Sequence, residues 1–339
     1  MAINKGNVAA KKVGGQPDPP SIKSSNGLTL EESDIIPLTI LKPETKILVS
    51  GDTGAGKTAQ LGLLAELMYV LSGGKPTVLF TMDEGGFMTI DPLIECGVVK
   101  IVTYDDEIPP WIWIKHALKG EAKIEGQWHK LTDPAKCAMV GYEGLTAFAE
   151  FMLEDLSRHS AEHPNQSVGG DSAWTFSVSD GEEELKLASN TMSHYGLVQM
   201  RIMHEILKSK PGVPSIWTAL LTRAADPMGG GVLGPMTVGK AQAPTISRLF
   251  DLTFRINASP NAQELVHELF LETHNDKQAK GSKVIANSRL PLSGAKGAPV
   301  MKRIVPASIV SALQQIQARH GSAVDETKAR LARMMGKKA

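Results

Sequence analysis

Cysteine is nearly missing: of 339 residues only Cys96 and Cys137 carry a thiol. Two thiols cannot build a disulfide framework, and neither stands in a CxxC pair or in a Cys/His cluster with zinc spacing. An intracellular, reducing compartment is the expectation that follows. No stretch reaches the run of about 18 apolar residues that a membrane-spanning helix needs, and Met1 to Pro20 lacks the unbroken apolar segment of a secretion signal. No membrane partner is expected. An excess of either charge is also lacking, because 36 Lys and Arg face 36 Asp and Glu. Zero formal charge excludes a globally cationic nucleic-acid coat and an acidic tail protein, while leaving room for a local basic patch. The nine histidines show no HExxH or other paired spacing, and no GxSxG nucleophile elbow is present.

What remains is ordinary for a folded chain, with 42% apolar and 21% charged residues, enough to bury a sizeable core. The length allows about two domains at roughly 150 residues each, although single α/β domains run longer. Residues 1–40 are rich in Gly, Pro, Ser, Asn and Lys and read as a flexible N-terminal arm. Residues 41–295 alternate short apolar runs with helical periodicity and read as one α/β domain. Residues 296–339 read as a helical, basic C-terminal tail, with helices over Pro306 to Gln317 and Asp325 to Met335; the last twenty-one residues hold six Lys and Arg against two acids. Within the body, strands are expected at Ile47 to Val49, Thr77 to Thr81, Val98 to Thr103, Cys137 to Tyr142, Ser215 to Leu221, Leu252 to Ile256 and Glu268 to Glu272. Helices are expected at Ala59 to Leu71, Leu145 to His159 and Tyr195 to Lys208. Three segments look irregular: Ser160 to Ser193, Ala224 to Ala243 and Asp276 to Gly297. Trp111-Ile112-Trp113-Ile114 has two readings, a stacking platform for bases or a piece of the core, and core or interface is the commoner use.

The most informative stretch is Gly51-Asp52-Thr53-Gly54-Ala55-Gly56-Lys57-Thr58, followed by Ala59, which satisfies GxxxxGK[ST] in full. Its glycines let the backbone wrap so that successive N–H groups meet phosphate oxygens. The helix N-terminus adds its positive dipole end, Lys57 reaches the β- and γ-phosphates, and Thr58 ligates Mg²⁺. The motif lies between an apolar strand and a helical stretch, the context in which those amides converge.

Hydrolysis further requires a carboxylate near the γ-phosphate, and in a parallel sheet such groups sit at the carboxyl ends of strands beside the loop. Asp83 and Glu84 directly follow the Thr77 to Thr81 strand. Glu143 follows another apolar run, Cys137 to Tyr142, and either holds the water shell of Mg²⁺ or caps the following helix. Asp83 to Gly86 also fits the DxxG of a GTPase, but no NKxD base-recognition tetrapeptide follows. A small-molecule kinase would need an Arg-rich lid, for which only the scattered Arg223 and Arg289 are available.

These residues resemble the RecA-like P-loop ATPases, particularly the small phage proteins of that class that look like single-strand annealing or recombination ATPases. The resemblance covers about 45 to 290. Besides the P-loop it rests on Phe80 to Glu84 with Asp91-Pro92, on Glu143 to Thr146 where the family has Asp-Ser, on Ser193 to Leu197, and on Gly234 to Lys240 leading to Phe250-Asp251-Leu252. It implies a RecA-like core with a mostly parallel central sheet flanked by helices. It also implies that Glu84 activates the attacking water, that Lys240 crosses to a neighbouring subunit's ATP, and that homo-oligomeric rings or filaments hold ATP at subunit interfaces. Single-stranded DNA would meet two loops matching Ser160 to Ser193 and Ala224 to Ala243. The expected cofactors are ATP and Mg²⁺. Two departures stand out: Glu143 replaces the family Asp, and Thr222-Arg223 stands where a sensor Gln is expected. An oligomeric nucleotide-binding assembly or motor component that does not handle DNA is the alternative.

Overall fold

The structure is a computed structural model. It describes residues 36–83, 85, 87–162, 167–168, 173–177, 184–188, 191–224, 232–238, 243–260, 265–270, 274–276, 282–284, 287–288, 303–304 and 306–334.

The first strand, β1 (Lys46–Ser50), carries Ile47, Leu48 and Val49 at zero exposure. A strand apolar on both faces belongs in the middle of a covered parallel sheet, and β1 lies there. The glycine-rich turn leads into α1 (Lys57–Leu71), then β2 (Thr77–Thr81), the short α2 (Asp91–Glu95), β3 (Val99–Thr103) and α3 (Pro110–Ala117). A hairpin of β4 (Glu121–Ile124) and β5 (Gln127–Lys130) precedes β6 (Met139–Glu143) and α4 (Leu145–Glu162). The antiparallel trio β7 (Ser167–Val168), β8 (Ala173–Ser177) and β9 (Glu184–Ala188) leads to α5 (Thr191–Lys208) and β10 (Ser215–Ala219). The chain continues through β11 (Leu221–Ala224), β12 (Val232–Pro235), α6 (Ala243–Ile246), β13 (Leu252–Pro260) and β14 (Leu265–Phe270). It ends with β15 (His274–Asp276), β16 (Ser282–Val284), β17 (Asn287–Ser288), β18 (Arg303–Ile304) and the long α7 (Ile309–Met334).

The main sheet has the order β18-β14-β13-β1-β10-β6-β2-β3, with β17 against β13. From β13 to β3 every neighbouring pair is parallel, while β14 runs antiparallel to β13 and β18 antiparallel to β14. The protein is therefore α/β with a mostly parallel central sheet. The strands on either side of α1 in sequence, β1 and β2, are not neighbours: β10 and β6 lie between them. That separation opens the carboxyl edge of the sheet where the glycine-rich turn emerges.

One face of the sheet packs on α1 and α7 through an aliphatic core that includes Ile47, Leu61, Leu64, Leu79, Ile216 and Leu313. The other face packs on α3, α4 and α5 through a core rich in rings, among them Phe80, Trp113, Tyr142, Phe148, Trp217 and Phe250. Trp111 and Trp113 are both 3% exposed, which makes this segment core and removes it as an open stacking platform.

Several details differ from the sequence expectation. The segments expected to be irregular hold β7 to β9, β12, and β16 with β17; strands of two to five residues show too little periodicity to be recognised. The two expected terminal helices are one continuous α7 running through Gly321, since a single glycine costs a helix only about 1 kcal/mol. Ala307, Val310, Leu313 and Ile316, placed in the tail, are buried in the aliphatic core, as are Leu38 and Ile40, placed in the arm. Gln317 ties the two ends together by donating through Nε2 to the Pro37 carbonyl at 2.7 Å. Residues 1–35 lie outside the described residues. No helix among the described residues is long and apolar enough to cross a membrane.

Candidate functional site

The glycine-rich turn is held at its start by close backbone approach. The Gly51 N–H donates to the Ala219 carbonyl at 3.1 Å, and a Cβ on Gly51 would stand 2.6 Å from the Ile256 carbonyl oxygen. A side chain at this position would collide with main chain. Further on, Gly54 has φ of 74° and Gly56 has φ of 92°, values in the left-handed region that favour glycine. Helix α1 then begins with no side-chain cap and no acid in its first turn. Its leading N–H groups are thereby left for an anion.

Lys57 opens α1, and its Nζ donates to the Asp52 carbonyl at 2.9 Å. Burial lowers the Lys57 pKa, against the attraction of the Glu143 and Asp52 carboxylates. Thr58 donates through Oγ1 to Glu143 Oε1 at 3.1 Å. Ala59 is buried behind the loop.

Glu143 is the last residue of β6, two strands away from β1. It is 7% exposed, and burial pushes its carboxyl up to about 7. The Thr58 hydroxyl, the nearby Thr218 hydroxyl and the Lys57 charge oppose that rise, and Asp83 adds to it. Thr218 Oγ1 accepts a bond from the Gly144 N–H at 2.9 Å, and Glu143 Oε2 is buried without a hydrogen-bond partner among the described residues. An orphaned carboxylate oxygen beside a threonine hydroxyl is an unusual cost for a protein interior. The same two oxygen groups form a donor set that suits a hard divalent cation such as Mg²⁺.

Asp83 follows β2 and is exposed, with its Oδ1 accepting from the Gly85 N–H at 3.1 Å. Lys57, Thr58, Asp83 and Glu143 all line one cavity of about 560 Å³, which also reaches Glu150 and His267. The structure thus gathers residues from α1, β2 and β6 that sequence spacing alone could only assign to strand ends. Glu84 and Lys240 lie outside the described residues.

Two further groups line the cavity. His267 sits within β14 and places Nδ1 at 2.8 Å from the Ala55 carbonyl oxygen. Thr146, in the first turn of α4, accepts from the Leu220 N–H and donates to the Met236 carbonyl. His267 belongs to no motif and Thr146 closes the Glu143 to Thr146 stretch, and only the three-dimensional fold brings both to the loop.

Fold and site together define an α/β protein with a P-loop at the carboxyl edge of its sheet. No protein-family model and no curated protein matches the chain. Among solved structures it is similar to a KaiC-like protein from the hyperthermophilic archaeon Pyrococcus horikoshii, at 11% identity over 67% of this chain and 77% of that one, with a TM-score of 0.34.

Proposed function

We propose that this chain is an intracellular RecA-like P-loop ATPase that binds ATP with Mg²⁺, hydrolyses it as a homo-oligomer, and serves DNA recombination, repair or replication in a phage. The observation that carries the reading is the meeting of Lys57, the Thr58–Glu143 pair and Asp83 in one cavity beside a glycine-rich loop that leads into a helix without a side-chain cap.

In this reading loop amides between residues 51 and 58 other than those of Gly51 and Ala55, which already donate to the Ala219 and Asp52 carbonyls, bind the phosphates, and Lys57 leaves the Asp52 carbonyl to meet the β- and γ-oxygens. Thr58, Glu143 and Asp83 are the groups that would hold Mg²⁺, which when bound neutralises phosphate charge. Glu84, next to Asp83 in sequence, orients and polarises the attacking water. Lys240 reaches the ATP of a neighbouring subunit and stabilises charge there, as an arginine finger does.

A second reading, a nucleotide-driven assembly or motor component with no DNA-handling step, is favoured by the zero formal charge and by the excess of acids over bases in Ser160 to Ser193. Phosphate contacts supply most non-specific affinity for DNA, and that loop does not offer them.

The test is ATP turnover by the purified chain with and without single-stranded DNA, beside Glu84→Gln. We expect DNA to stimulate turnover, and the Gln variant to bind ATP while hydrolysing it about 10²-fold more slowly. Turnover indifferent to DNA supports the second reading; no turnover in the wild type removes the ATPase. Adding Glu84→Gln subunits to Lys240→Ala in the same assay should restore part of the lost turnover. Mixed oligomers with merely additive activity would exclude the trans role.

A further inference from the structure

The P-loop is gripped from outside its own motif. His267, on β14 and 7% exposed, lines the cavity and bonds the Ala55 carbonyl through Nδ1 at 2.8 Å. A carbonyl oxygen only accepts, so Nδ1 must carry the proton. The histidine backbone is itself pinned, paired with Ala258 on β13 and accepting at its carbonyl from the Ala307 N–H at 2.8 Å. The Ala307 carbonyl accepts in turn from Gln60 Nε2 at 3.0 Å, and Gln60 Oε1 accepts from the Ile309 N–H at 2.7 Å. Gln60 is 1% exposed and donates its own N–H to the Gly56 carbonyl at 3.1 Å. The bonds close into a ring running from the loop through α1, the start of α7 and β14, and back to the loop.

The peptide joining Ala55 to Gly56 is planar and trans, so its C=O and N–H point in opposite directions. Fixing the Ala55 carbonyl on His267 therefore fixes the direction of the Gly56 N–H, one of the amides that the ATP-binding reading assigns to phosphate. We infer that His267 is a positioning residue which orients the Ala55–Gly56 peptide for phosphate binding, and that the Gln60 ring holds His267 in place to do so. This rests on the ATP-binding reading of the loop. The role belongs to the imidazole as a single hydrogen-bond donor, and it needs no contact between His267 and the nucleotide.

The experiment compares His267→Phe, which keeps a ring and removes the donor, with His267→Asn, whose side-chain amide carries a donor near the Nδ1 position. Three quantities are read: affinity for ATP and for inorganic triphosphate by calorimetry, the Gly56 amide resonance of the nucleotide-free, ¹⁵N-glycine-labelled protein, and the melting temperature. We expect His267→Phe to weaken both ligands about ten-fold, as loss of one well-placed hydrogen bond does, and to move the Gly56 resonance. His267→Asn should restore most of the affinity and return the resonance toward its wild-type position. Unchanged affinity with an unmoved resonance in His267→Phe overturns the inference, and so does equal damage in the two variants. If His267→Phe does not fold, the wild-type imidazole ¹⁵N spectrum decides: a protonated Nδ1 supports the assignment and a bare Nδ1 overturns it. Lys57→Ala, measured alongside, separates the two levels. ATP affinity unaffected by that change refutes the ATP-binding reading itself, whereas a loss there with no effect of His267→Phe refutes only the positioning role.

Discussion

On the α3–α5 face of the sheet the core is a continuous set of rings: Phe80 with Tyr142 at 5.8 Å between centroids, Tyr142 with Trp217 at 4.1 Å, Trp217 with Phe250 at 5.7 Å, and Trp113 with Phe148 at 5.8 Å. On the α1–α7 face it is aliphatic, and polar groups enter it: Gln60 is buried there, and the Thr58–Glu143 bond lies at its rim. Interlocked aromatics carry a large apolar area in fixed geometry, and the charged groups buried on that side, Lys115, Asp155 and Glu205, sit on its three helices. Branched aliphatics pack around smaller irregularities; Gly62 on α1 lets Ile90 approach so closely that a Cβ would stand 2.5 Å from Ile90 Cγ2. The aromatic face chiefly holds the sheet together, and the aliphatic face carries and tunes the glycine-rich loop, with Thr146 and Glu150 of α4 also reaching its cavity.

The largest effect should come from the tuned face without touching stability. Lys57→Ala removes the charge that the proposed ATPase reading directs at phosphates and is expected to lower ATP turnover by about 10² or more, while urea denaturation stays close to wild type. A variant that unfolds early would break the separation.

Trp217→Ala tests the other side. Its indole is fully buried and packed on Tyr142 and Phe250, so truncation should cost about 3–5 kcal/mol in urea denaturation. Turnover per folded molecule should change little. Loss of turnover at wild-type stability would show that the aromatic face also shapes the site.

The smallest effect sharpens the comparison within α1. Burial raises the half-buried Glu66 from 4.5 to about 7. Its pKa is higher in the folded than in the unfolded state, so its contribution to stability is fully present below about 4.5 and is lost as pH rises through about 7. Glu66→Gln, which cannot ionise, should therefore melt higher than wild type at pH 8 and match it near pH 4.5. Equal shifts at both pH values would deny that burial of the charge is the cause.

The parts legible in the sequence are those whose meaning is local. Gly51 to Ala59 is legible because the left-handed glycines and the start of α1 at Lys57 lie within one turn. The strands around it are legible because an unbroken apolar run signals a covered strand. Asp83 and Glu143 could be placed at strand ends, but the bond from Thr58 to Glu143 depends on β6 lying two strands from β1, which no spacing encodes. His267 and Gln60 were invisible for the same reason, each being one residue in an ordinary strand or helix whose partner is a distant backbone group. The packed start of α7 reads as tail in the sequence because the charge at the far end of the same helix dominates its composition.

The position of β1 has a further consequence, for the order in which the molecule comes together. Its two neighbours are β10 and β13, Lys46 pairing with Ser215 and Ile47 with Leu252, and its helix is braced by residues past 300. The glycine-rich motif is translated well before the strands that flank β1, because β10 and β13 both follow it far along the chain. Contacts of such long sequence separation make folding slow. Until they form, Ile47, Leu48 and Val49 remain a bare apolar strand with two open edges, the kind of segment most exposed to mispairing with other chains.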